Sequence, residues 1–404
     1  MGERAKKPSS KKKAAKKAAA RRQPAQTARA APPAKSDGLA AAVSRHFANL
    51  PPADLKALRE RLARMGRDLD SQYSPLGADG AGDSPWRMEL FPHLLDPGQW
   101  DTLRAGLVQR LRAHNAFVAD IHGEQAILRD RVLPYAQVLA DPACHRELRG
   151  LRVRGQRYLT LGAVDLVRDA AGHWCVLENH FSTPEGLGQI LQVRRMLTQV
   201  CPEIFGDETI APVAGFASSL VETLQALSSR EAPHIVLLSA GNESPLFYED
   251  TFLARQMGIS AVLPADLLMR AGNLYLKTIR GLERVDVIYR RVPSNTVDPI
   301  AFGRTPIDGV PGLVNAVRRG AVVIANALGA GVADNRALLR HSEAITGYYL
   351  RENPILRPVP TYNLGDPDQA AFALQNREAF LFKPLHAGFA APGRAGKTRG
   401  YSGG

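Results

Sequence analysis

The reading of the fold turns on DLVRDAAGHWCVLENHFSTPEG (165–186). Apolar and polar residues alternate through 158–167 and 174–178, on either side of 170–173, where Gly172 supplies a flexible position, and this pattern predicts a β-hairpin. Asp165 on one strand and Glu178 closing its partner would then point at the same end of a sheet. Two converging carboxylates offer hard oxygen ligands to Mg²⁺, which in turn can carry phosphates. The plainer alternative is a turn with solvated acids, since loops often carry charge without chemistry.

Downstream of the hairpin the pattern becomes α/β. Short apolar runs at 235–239, 260–263, 285–289 and 322–325 predict buried strands, with an amphipathic helix at 248–257 between the first two. The first run ends in Ala-Gly-Asn and the last in Asn326 and a Gly-containing loop. Polar loops after strands that lead into helices belong at the carboxyl edge of a parallel sheet, where ligands tend to sit. Asn242 and Glu243 after the first run either bind substrate or close a turn. A last strand is predicted at 380–383, ending in Lys383.

Upstream, Asp54 can cap a helix carrying Leu55, Leu58, Leu62, Met65 and Leu69 at helical spacing, and a Gly/Pro/Asp linker follows at 73–84. Trp100, Leu103, Leu107, Leu111 and Phe117 predict a second helix from Asp96, and another is expected from Glu124 onward. His122 reads as a helix-end or surface histidine, because no second histidine sits at ligand spacing.

The net charge of +13 over 404 residues suggests a nucleic-acid partner until it is mapped. Residues 1–35 hold twelve Lys or Arg and one acid, a net of +11, so the rest carries only +2. The Lys/Ala/Pro composition of that tail predicts a disordered arm capable of nonspecific, salt-sensitive polyanion contact and nothing sequence-specific. No apolar segment follows it as in a secretory signal, and the longest weakly polar run, 320–333, is interrupted by Asn326, so no membrane span is expected. Three cysteines, Cys144, Cys175 and Cys201, lack metal or redox spacing and fit a reducing, cytoplasmic setting.

Six blocks in sequence order resemble the circularly permuted ATP-grasp family, relatives of glutathione-synthetase-like carboxylate–amine ligases. They are GLVQR (106–110), VDLVRDAAGHWCVLEN (164–179), LLSAGNESPLFYEDTFLARQMG (237–258), RVDVIYRR (284–291), GVPGLVNAVRRG (309–320) and NALGAGVADN (326–335), within a resemblance spanning residues 86–383. The resemblance implies an α/β (α+β), circularly permuted ATP-grasp fold with a Rossmann-like substrate lobe and an incomplete nucleotide lobe. The implied organisation is a tail (1–38), an amphipathic helix and linker (39–84), a helical region with the metal-binding hairpin (85–205), the substrate lobe (206–365) and the start of an ATP-binding lobe (366–404).

The implied chemistry is ATP-dependent formation of an amide or peptide bond through an acyl phosphate, with ATP and Mg²⁺ as cofactors and a small carboxylate and an amine or peptide as substrates. Charge spreading over transferring phosphoryl oxygens must be balanced by metal and cationic clamps. By resemblance, Asp165, Glu178 and the position of His180 are the metal ligands, Arg290 or Arg291 clamps a carboxylate or phosphate, and Lys383 reaches the nucleotide phosphates. Asn242, Glu243 and Asn326 are the candidate substrate contacts. Since Arg290 and Arg291 are adjacent on a strand, at most one is expected to face the site and the other solvent.

The chain departs from the family at polar positions. Glu178-Asn179-His180 stands for the usual Glu-Asp-Asn, Ser182 for an arginine, Pro293-Ser294-Asn295 for consecutive aspartates, and Asp250 for a histidine. An imidazole is a poor substitute for an amide oxygen on a hard ion. Only twenty-one residues follow Lys383, where the family continues with a Gly-rich loop and an adenine-contacting strand. Ala391 to Thr398 (APGRAGKT) fits a loose phosphate-loop pattern without room for the helix that such a loop needs. These departures open a second reading: a non-catalytic member of the family acting as a binding or regulatory module.

Overall fold

A computed structural model of the protein describes residues 37–73, 88–205, 210–242, 244–303, 309–383 and 385. The expectations for the basic tail, for the linker from residue 74, for Glu243 and for the phosphate-loop-like segment lie outside the described residues. The strands among the described residues are β1 (Ala163–Arg168), β2 (Trp174–His180), β3 (Ile235–Leu238), β4 (Ser260–Val262), β5 (Leu267–Arg270), β6 (Asn273–Thr278), β7 (Gly281–Arg284), β8 (Val287–Arg290), β9 (Val323–Ala325) and β10 (Arg357–Pro358). They form three small sheets: β1-β2-β10, β4-β3-β8-β9 and β5-β6-β7.

The predicted hairpin is β1 and β2, antiparallel, with Asp165 directly opposite Glu178. Its turn is tied by the Asp169 carboxylate, which accepts from the amides of Ala171 (2.9 Å) and His173 (2.8 Å), while Gly172 takes a positive φ of 84°. The first strand starts later than the alternation suggests. Residues 158–161 bond to the 326–327 segment instead: the Ala327 amide donates to the Tyr158 carbonyl, and the Thr160 and Leu161 amides donate to Asn326 Oδ1.

All four predicted buried strands form one parallel sheet, β4-β3-β8-β9. Strands β3 (IVLL) and β8 (VIYR) are buried along their whole length, as parallel strands covered on both faces must be. One face packs on the helices Phe216–Gln225 and Phe247–Met257 through Leu220, Leu224, Leu253 and Met257. The other packs on residues of β5 and β6 and on Leu313 and Val314. The β5-β6-β7 meander was not anticipated.

The helix expected from Asp96 is Pro97–His122; Asp96 caps it by accepting from the Gln99 amide at 2.8 Å. Leu103, Phe117, Val118 and Ile121 are buried, whereas Trp100 remains half exposed. Its core includes Ala327, Ala330, Val332, Leu338 and Ile345, so residues far along the chain pack against it. The helix expected from Glu124 is a single turn, Ala126–Arg129.

Residues 380–383 are not a strand: among the described residues none of the three sheets includes them, and a strand without a ladder partner leaves its backbone groups unpaired. No helix among the described residues is long and apolar enough to cross a membrane.

Candidate active site

Alternation along β2 places Glu178 and His180 on one face, and the register puts Asp165 across from Glu178 on that same face. The potential ligand atoms of Asp165, Glu178 and His180 all lie within 4.8 Å of one another. His180 Nε2 is 3.2 Å from Asp165 Oδ2. Lys383 Nζ donates to Glu178 Oε2, and the Arg336 guanidinium donates to Glu178 Oε1. Residues 165, 178, 336 and 383 thus meet at one point.

The electrostatics follow from these contacts. The hydrogen bond from His180 is the main cause holding the Asp165 carboxyl below its ordinary value, and the same bond raises the His180 imidazole. Burial would raise the Glu178 carboxyl, but the hydrogen bonds from Lys383 and Arg336 outweigh it and bring it below its ordinary value. All three shifts favour the charged forms.

Asp165 and Glu178 match a hard divalent cation such as Mg²⁺, which takes one or two carboxylates and leaves its other positions to water and phosphate. The His180 nitrogen suits borderline transition ions better. Its bond to Asp165 fits the role of orienting that carboxylate.

Three supporting residues escaped the sequence reading. Arg110, inside GLVQR, donates from Nε to Asn179 Oδ1 (2.6 Å) and from its terminal nitrogen to Ser342 Oγ (3.0 Å), fixing the residue between Glu178 and His180. His114, one turn along, donates from Nδ1 to the Arg110 carbonyl at 2.9 Å; burial first, and Arg110 second, push its pKa down to about 3, so the ring is neutral. Asp334 accepts from the amides of Phe181 and Ser182, gripping the chain just past His180, and burial pushes its carboxyl up to about 7. Both Arg110 and Asp334 lie in blocks that carried the family resemblance, the one signal available in advance.

The other predicted residues are placed differently. Arg290 and Arg291 are both buried, so neither faces solvent. Arg290 donates to the carbonyls of Ser182 (3.0 Å), Val292, Asn326 (3.2 Å) and Ala327 (3.5 Å), and burial lowers its pKa to about 10. Four backbone carbonyls make it an internal strut.

Arg291 donates from Nε to Asp250 Oδ1 at 2.8 Å and to the Pro184 carbonyl, and lies 3.3 Å from Glu249 Oε2. Burial opposes its charge, but Tyr289, Asp250 and Glu249 together outweigh burial and raise its pKa. Glu249 also accepts from the amides of Gly186 and Gly188, and a Cβ on Gly188 would stand 2.8 Å from Glu249 Cγ. A glycine is what lets that carboxylate reach the loop.

Asn326 is buried with every amide function used: Oδ1 accepts from Thr160 (2.6 Å) and Leu161 (3.0 Å), and Nδ2 donates to the carbonyls of Leu161 (2.7 Å) and Phe181 (2.6 Å). It is a backbone staple with no polar atom left for a substrate. Asn242 is exposed in the turn after β3.

The sequence profile of the circularly permuted ATP-grasp type 2 family matches residues 92–398. An uncharacterised protein of Mycobacterium leprae is 33% identical over 344 residues, covering 84% of this chain and 61% of its own length. An uncharacterised protein of Synechocystis is 37% identical over 277 residues, covering 68% and 58% respectively. A Frankia casuarinae protein provisionally named glutamate–cysteine ligase 2-2 is 35% identical over 314 residues, covering 76% of this chain and 36% of its own length. The chain spans about 60% of the length of the first two relatives.

Proposed function

The chain belongs to the circularly permuted ATP-grasp type 2 family, and we propose that it is built as an ATP-dependent carboxylate–amine ligase, forming an amide or peptide bond. In that reaction a substrate carboxylate oxygen attacks the γ-phosphorus of ATP, releasing ADP and leaving an acyl phosphate. An amine nitrogen then attacks the acyl carbon, phosphate leaves with the bonding electrons, and the amine loses a proton.

The observation that carries this reading is the meeting of Lys383 and Arg336 on Glu178, beside Asp165 and His180. Transfer of a phosphoryl group calls for positive charge around the migrating oxygens more than for a nucleophile. Asp165 and Glu178 would hold Mg²⁺, which when bound neutralises phosphate charge. His180 orients Asp165, and the Arg110–Asn179 bond and the Asp334 grip keep β2 in register under the site. Lys383, which the family resemblance assigns to the nucleotide phosphates, and Arg336, in place of the Arg290 or Arg291 it suggests, are the cationic clamps, both partly open to solvent. The parallel sheet β4-β3-β8-β9 is read as the Rossmann-like substrate lobe and the segment beyond residue 366 as the start of the nucleotide lobe.

The test is calorimetric titration of ATP in the presence of Mg²⁺, coupled to an assay for ADP release on addition of carboxylates with amines or peptides. Saturable binding that Glu178→Gln and Lys383→Met each weaken supports the ligase. A protein that binds no ATP and releases no ADP overturns it.

A second reading, a non-catalytic binding or regulatory module, is favoured by one feature: Glu178 is already neutralised by two protein cations. ATP binding without amine-dependent ADP release would select it.

A further inference from the structure

A cavity of about 90 Å³ runs along β9, the end strand of the parallel sheet, and reaches the amino ends of β8 and β9. Arg152, Arg154, Arg230 and Arg284 line it together with a single carboxylate, Asp286, while Val322 and its neighbours give an apolar floor. The lining therefore carries a net charge of +3, in a body whose residues beyond 35 sum to only +2. None of these arginines belongs to the hairpin site or to the sealed cluster around Arg291.

Asp286 cannot absorb this charge. Its carboxylate is buried and accepts from the His234 amide at 3.0 Å, and it lies 3.3 Å from the Nε atoms of both Arg230 and Arg284. Among the described residues the terminal nitrogens of those two guanidiniums make no other ion pair or hydrogen bond, and Arg152 and Arg154 are exposed with no acidic partner. One carboxylate is thus shared between two guanidiniums that are 53% and 40% exposed, which leaves an excess of positive charge facing the pocket. Forked guanidinium donors converging on one pocket suit an oxyanion that accepts several hydrogen bonds at once.

Charge and size narrow the ligand. An excess of three positive charges favours a dianion over a monocarboxylate. The cavity is far below the roughly 300–1,000 Å³ of sites that enclose a whole cofactor or drug-sized ligand, so it takes a small anion or an anionic head group. We propose that this pocket binds a phosphate dianion, either inorganic phosphate or the head of a small phosphomonoester. The site stands independently of the ligase reading.

The experiment is isothermal titration of the full chain with inorganic phosphate at fixed ionic strength, with acetate as the monoanion comparator. Saturable binding that acetate does not reproduce is expected. The Arg152→Gln/Arg154→Gln double variant, which changes only exposed side chains, should weaken it at least tenfold with an unchanged unfolding midpoint, and Arg284→Gln should weaken it as well. Binding should persist in Lys383→Met, which separates this pocket from the hairpin. Competition by glycerol 3-phosphate would identify the ligand as a phosphomonoester head, and failure to compete would restrict it to inorganic phosphate. Wild-type affinity in the double variant, loss of binding in Lys383→Met, equal binding of acetate, or no saturable phosphate binding would each overturn the proposal.

Discussion

Two clusters of carboxylates and cations adjoin the 181–186 loop, and their chemistry diverges although their residue types are alike. In the first, side-chain exposures are 53% for Asp165, 39% for His180, 29% for Lys383 and 18% for Arg336, around a Glu178 that is itself only 5% exposed. In the second, Arg291 is 0% exposed and Glu249 and Asp250 are 1% exposed. An exposed cation can leave its carboxylate for an incoming phosphate at little cost, because water stabilises both partners during the exchange. A sealed one cannot, because opening the pair strands charges in a medium that does not solvate them. Openness to solvent assigns the first cluster to chemistry and the second to architecture.

The largest expected effect tests the sealed side. Arg291→Met leaves Glu249 and Asp250 without their buried counter-charge and should cost about 3–5 kcal/mol of stability, read by urea unfolding. A loss below about 1 kcal/mol would show that the cluster is not architectural.

Beneath the open cluster, His114 offers a pH test. Its folded pKa is about 3 against an ordinary value of 6.5, so the unfolded chain binds the proton that the buried ring refuses. The contribution of His114 to stability is complete above about pH 6.5 and is lost as pH falls towards 3. Asp334, pushed up to about 7, drives stability the other way over part of this range, so the informative quantity is the stability difference between wild type and His114→Gln at each pH. That difference should shrink on acidification by roughly a few kcal/mol at most, and a flat profile would refute the neutral ring.

On the open side, Glu178→Gln should weaken Mg²⁺-dependent ATP binding at least tenfold, about 1.4 kcal/mol, while costing less stability than Arg291→Met, because the cations it leaves, Lys383 and Arg336, are partly open to water. The reverse pattern would move Glu178 into the architectural class. The smallest effect is expected from His180→Asn, which replaces an imidazole by an amide oxygen: a several-fold gain in ATP affinity with Mg²⁺ and a smaller gain with Mn²⁺. Equal responses to the two ions would show that His180 acts through Asp165 alone.

Much of the fold was legible because its signals are local. The hairpin turn, the four parallel strands and the helix capped by Asp96 each rest on residues within a few positions of one another, and each appears within a few residues of its expected bounds. The failures have a common cause. Residues 158–161 alternate like a strand but were claimed by the Asn326 side chain, and residues 380–383 have the composition of a strand but no ladder partner among the described residues. The β5-β6-β7 meander went unread, although Gly272 and Gly281, both at positive φ, mark its turns.

At the candidate site, the pairing of Asp165 with Glu178 followed from turn position and a period of two, so the sequence alone could propose it. Which basic residues serve it could not be read the same way. Lys383 lies 205 residues from Glu178 and Arg336 lies 158, and pairings over such distances depend on how the cores close. The same holds for Arg290 and Arg291, whose place at a strand end promised one exposed guanidinium until the loop after β2 and the Phe247–Met257 helix closed over both. A residue's type and spacing set what it can bind; burial and the competing partners brought by folding set what it does bind, because a charge is free to act only where water or a ligand can replace its neighbour.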